Sequence, residues 1–77
     1  MKLRNLTTNT TELEINGNYI LFSYDTPVAG YDDEGAFRTD EYYSRTTTKH
    51  INNYLGNKNI GRVVKSEYIY NLIEGVE

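Results

Sequence analysis

The sequence predicts an α+β fold: a small antiparallel β-meander of three to four strands followed by two short helices. Three observations lead there. Period-two alternation runs up to an Asn-Gly pair at Asn16-Gly17. The longest apolar-rich run, Tyr19 to Tyr31, lies between that pair and the turn signal Asp32-Asp33-Glu34-Gly35. Beyond residue 44 the apolar spacing changes to the helical period, with capping residues ahead of each stripe.

Residues 6–15 are rich in Thr and end in alternation, with Leu13 and Ile15 pointing one way and Glu12 and Glu14 the other. Asn16 and Gly17 both tolerate the positive φ of a two-residue type I′ turn. That loop pairs Ile15 with Asn18, Glu14 with Tyr19, Leu13 with Ile20 and Thr11 with Phe22. Paired residues share a face. Leu13, Ile15, Ile20 and Phe22 are expected on one face, and Glu12, Glu14, Tyr19 and Leu21 on the other. The run from Tyr19 to Tyr31 reads as one long central strand with a bulge or bend at Pro27, because proline cannot donate to a ladder. Asp32 to Gly35 reverses the chain, and residues 36–39 return alongside.

The second half is helical. Ser44, Thr46, Thr47 and Thr48 are N-cap candidates, and Thr47, Ile51, Tyr54 and Leu55 share a helical face. Gly56 suits the left-handed position after a helix, so the first helix is expected over 47–55. Arg62 to Val64 is a candidate extended segment. Ser66 caps a last helix with Ile69, Leu72 and Ile73 as its stripe, Val76 just beyond and Gly75 as its stop.

With 77 residues the chain makes one domain, 1–77. Chains this short usually need a staple, a metal or a partner, and this one has no cysteine. Packing and self-association remain, so a homodimer is expected. The lack of cysteine fits a reducing compartment such as a cytoplasm. The formal net charge of −3 argues against a general nucleic-acid binder. No apolar run approaches bilayer length, and the start MKLRNLTTNT lacks the apolar core of a signal peptide, so the chain is expected to begin near Met1 and to stay inside the cell.

Nothing singles out a reactive centre. His50 is the only histidine, and no spacing gives it a nucleophile and an orienting group. The acidic turn at 32–35 lacks the alternating oxygen ligands of a calcium loop and reads as a solvated hairpin turn. No enzyme activity, metal or cofactor is expected. Arg45, Lys49 and His50, near the start of the first helix, form a candidate anion contact, with ordinary surface charge as the blander reading. Of the eight tyrosines, Tyr24 and Tyr54 are expected in or beside the core. Tyr19, Tyr31, Tyr42, Tyr43, Tyr68 and Tyr70 are candidates for a protein interface, because tyrosine has a large apolar body and a polar tip.

Several segments carry a resemblance. They are Tyr24-Asp25-Thr26-Pro27-Val28-Ala29, the pairs Arg38-Thr39 and Tyr43-Ser44, and the run Thr46 to Asn52 with Leu55 after it. Over residues 19–56 the chain resembles a family of small bacteriophage and prophage proteins with a Tyr-x-Thr-Pro-Val-Ala segment and a Thr-Thr-x-Lys-His-Ile-Asn run. Family members often have Trp where Tyr54 stands. The resemblance implies phage origin and the host cytoplasm; it carries over no catalytic residue.

The expectation is therefore a non-enzymatic phage accessory protein that binds and inhibits or modulates a host protein, with antiviral defence as the favoured class of target. One alternative is a small nucleic-acid-associated module using Arg38, Arg45, Arg62, Lys49 and Lys65 with stacking tyrosines. Another is sequestration of a small nucleotide ligand at the Arg45–Lys49–His50 contact.

Overall fold

In the structure, a computed structural model describing residues 1–74, the chain forms one six-stranded sheet with two helices. The expected three to four strands are six, in the spatial order of the sequence: β1 (Lys2–Thr7), β2 (Thr10–Ile15), β3 (Asn18–Ser23), β4 (Thr26–Asp32), β5 (Gly35–Thr39) and β6 (Arg62–Val64). Neighbours are antiparallel except β5 and β6, which are parallel. Helix α1 (Arg45–Leu55) lies in the crossover between that parallel pair, and α2 (Ser66–Glu74) follows β6. Gly75 and Val76, read as the stop and the tail of the last helix, lie outside the described residues.

The β2–β3 hairpin has the register its turn dictates: Thr11 faces Phe22, Leu13 faces Ile20, Glu14 faces Tyr19 and Ile15 faces Asn18. Asn16 and Gly17 take φ of 52° and 81°, which a type I′ turn requires.

The stretch from Tyr19 to Tyr31 is not one bent strand. It folds back on itself at Tyr24-Asp25, so that β3 and β4 pair with each other. Tyr24 sits at φ 57°, a left-handed conformation that its side chain does not announce in the sequence. It is 52% exposed, a turn residue and not a core one. Pro27 does mark a bulge: Phe22 faces Pro27 while Leu21 faces Ala29, which leaves Val28 as the extra residue.

Alternation along β3 sorts the core into two layers. Leu21 and Ala29 point to the face that α1 covers with Ile51 and Leu55. Leu13, Ile20 and Phe37 point to the other face, where Ile69 of α2 packs, with Leu72 and Ile73 at the margin. Each of these large side chains contributes about 1.5–3 kcal/mol when fully buried. The amphipathic helices thus cover opposite faces of one sheet, which is how so short a chain buries two layers.

Helix α1 begins at Arg45. Its N-cap is Ser44, whose hydroxyl accepts from the Thr47 amide at 3.1 Å. It ends where Gly56, at φ 110°, donates its amide to Asn52.

Candidate functional site

Register and helix position together build an aromatic band. Tyr19 of β3 faces Tyr31 of β4 on the α1 side of the sheet, and the two are 38% and 36% exposed. Tyr54, in the last turn of α1, lies 5.7 Å from Tyr31 between ring centroids. Three rings therefore line one edge of the α1 layer, at the end of the sheet that carries the Asn16-Gly17 and Asp33-Glu34 turns.

The other interface candidates lie elsewhere. Tyr42 and Tyr43 occupy the loop from β5 to α1, at the opposite end of the strands. The Tyr43 hydroxyl is 3.4 Å from that of Ser66. Tyr70 is exposed on α2, on the far face of the sheet. Tyr68 is a structural residue: its ring meets Phe37 edge-on at 5.8 Å, and its hydroxyl donates to Asp32. That bond raises the phenol above its ordinary value; the neighbouring Arg62 pulls it back, and burial and the Asp32 charge add smaller raising effects.

Asp32 is more than a solvated turn residue. Its side chain is 5% exposed and pairs with Arg62 at 2.6 Å, tying the β4–β5 turn to β6. Asp33 and Glu34 remain exposed. Among the described residues no group of three or more His, Cys, Asp or Glu is placed to hold a metal ion.

Of the five basic residues of the nucleic-acid alternative, Arg38 and Arg62 are occupied by the fold. Arg38 donates to the carbonyls of Ile60 and Asn57 and to the side chain of Asn52, at 2.9, 3.0 and 3.0 Å. Arg62 is held by Asp32. Arg45 and Lys49 are exposed on α1, and Lys65 is exposed ahead of α2. His50 turns away from Arg45 toward the sheet, where its Nδ1 is 2.8 Å from the Ser23 hydroxyl and its ring 5.8 Å from that of Tyr24. The three proposed anion contacts do not converge on one point.

One cluster was not foreseen. Glu12, placed by alternation with the polar face, is buried beneath α1. Tyr54 donates to its Oε2 at 2.5 Å, and Arg4 of β1, directly opposite, donates to its Oε1. Burial alone would raise the carboxyl; the bonds from Tyr54 and Arg4 outweigh it and hold Glu12 below its ordinary value. Burial, and then the bond to Glu12, push the Tyr54 hydroxyl far above its own. The signal was present in the hairpin register, because Glu12 faces Leu21 and a face carrying Leu21 needs a cover.

Between α1 and the β1–β2 hairpin lies a cavity of about 350 Å³. Its walls include Arg4, Glu12, Leu21, His50, Asn53 and Tyr54.

Residues 1–71 match the family of unknown function DUF8033, and the chain belongs to that family. No curated protein and no solved structure matches it.

Proposed function

We propose that the chain is a non-enzymatic phage accessory protein that works in the host cytoplasm by binding a host protein, of the antiviral defence class, and blocking or modulating it. The observation that carries the binding reading is the band of Tyr19, Tyr31 and Tyr54. Scattered exposed aromatics need no explanation, but a contiguous set on one face does. Tyrosine rings bury large area at little entropic cost and are enriched where truncation costs most at interfaces. The resemblance of residues 19–56 to small phage proteins is the ground for the phage origin and the host cytoplasm; the kind of target is an analogy with small phage accessory proteins as a class.

Self-association is part of this reading. All six residues of β1 are exposed, and its outer edge has no neighbour among the described strands. Leu3 and Leu6 add apolar surface to it. A two-fold antiparallel pairing centred on Asn5 sets Arg4 against Leu6 of the second copy and keeps like charges apart.

The test is capture from host lysate with the intact chain and with a Tyr19→Ala/Tyr31→Ala variant. A host protein recovered in stoichiometric amount by the first and lost by the second supports the reading. Capture of no such protein by the intact chain, or equal capture by both, counts against it.

A further inference from the structure

We infer that the cavity between α1 and the β1–β2 hairpin is a binding site for a small organic anion: a phosphate or carboxylate head on a compact aromatic body. This goes beyond the protein-binding reading and does not rest on it.

The cavity arises because the sheet is wider than its helix. Helix α1 packs over β3 and β4, and the β1–β2 hairpin extends the sheet past it. At about 350 Å³ the space is at the small end of ligand pockets. The Leu21 side chain and the Tyr54 ring give it an apolar wall, and Leu6 stands at its lip. A flat body fits such a surface.

Its hydrogen-bonding capacity is biased toward donors. Glu12 is the one carboxylate in the wall, and both of its oxygens already accept, from Arg4 and Tyr54. Arg4 gives one terminal N–H to that bond, and its guanidinium stays 65% exposed with other N–H groups to offer. Asn53 adds an exposed amide.

His50 is held in the cavity wall by a hydrogen-bond chain behind it. The Ser44 hydroxyl accepts the Thr47 amide and donates to Thr47 Oγ1 at 3.2 Å. The Thr47 hydroxyl lies 3.1 Å from that of Ser23, and the Ser23 hydroxyl lies 2.8 Å from His50 Nδ1. Arg45, Lys49 and Asn53 are spaced by four on α1, so both cations lie on the stripe that leads to the cavity. The charges of Glu12 and Arg4 offset each other, so what remains for a ligand is the spare N–H groups of Arg4 and the Asn53 amide, with Lys49 one helical turn away.

The test uses phenyl phosphate, benzoate, benzamide and inorganic phosphate as probes, read by NMR chemical shifts of the Asn53 side-chain amide and the His50 ring at fixed pH. Saturable shifts with phenyl phosphate or benzoate are expected, with benzamide and inorganic phosphate weaker by about tenfold or more. The tighter of the two anions names the head group, and either one supports the site. Asn53→Ala and Lys49→Gln change exposed positions that leave the fold intact, and each should weaken the preferred probe severalfold. Arg4→Lys should retain part of the affinity lost in Arg4→Gln. No saturable shift with either aromatic anion overturns the inference. So does inorganic phosphate or benzamide binding as tightly as they do, or full affinity in all of the variants. The Tyr19→Ala/Tyr31→Ala variant should bind the probe normally, so loss of partner capture and loss of probe binding are separable.

Discussion

The hydroxyl of Tyr54 donates to the carboxylate of Glu12 at 2.5 Å, joining residues 42 apart in the chain. The bond fastens the last turn of α1 to β2 and leaves the Tyr54 ring between Tyr31 and the cavity. Tyr54→Phe keeps the ring and removes the donor, so one oxygen of a buried carboxylate loses its partner. The expected cost is about 1–3 kcal/mol, read as a lower urea midpoint at unchanged slope.

Acid should weaken the fold through Glu12. Its carboxyl lies below its ordinary value in the folded chain, so the folded state binds that proton less readily than the unfolded chain does. The stabilisation is fully present above the ordinary carboxylate value and is lost as pH falls through the folded one. Urea midpoints across that range should fall with pH in the native chain. In Glu12→Gln the decline should be shallower and should start from lower stability.

Gly30 is the residue on β4 that cannot carry a side chain. A Cβ there would stand 2.0 Å from the Tyr19 carbonyl oxygen and 2.8 Å from the Phe37 ring. Backbone on one side and a fully buried ring on the other leave no room to yield. Gly30→Ala should cost about 3 kcal/mol. Thermal unfolding should drop by on the order of 10–20 °C.

Self-association through β1 predicts a dimer by light scattering that reverts to monomer in Leu6→Lys, with circular dichroism unchanged. A monomer at high concentration in the native chain would remove the dimer from the account.

Legibility in the sequence followed how local each determinant is. The Asn16-Gly17 turn holds its own φ requirement, so every pair of that hairpin could be written down in advance. The helix stripes and the Ser44 cap are equally local. The reversal at Tyr24 was hidden because a tyrosine at positive φ is imposed by the pairing of β3 with β4, not by its own preference. Strand β1 was hidden because an edge strand exposed on every residue has no hydrophobic period to show. The Glu12 cluster lay between those cases: its face followed from the register, but the helix covering that face is a long-range fact. Of the interface candidates, Tyr19 and Tyr31 were brought together by the β3–β4 pairing, as hidden in the sequence as the reversal at Tyr24, and Tyr68 was drawn inward by Asp32 and Phe37.

The most direct measurement for a binding function is affinity for the captured host protein, compared between the native chain and Tyr19→Ala/Tyr31→Ala. The variant should fold as the native chain does and lose binding by about 2 kcal/mol or more, roughly thirtyfold. Native affinity in the folded variant would contradict the assignment of this face.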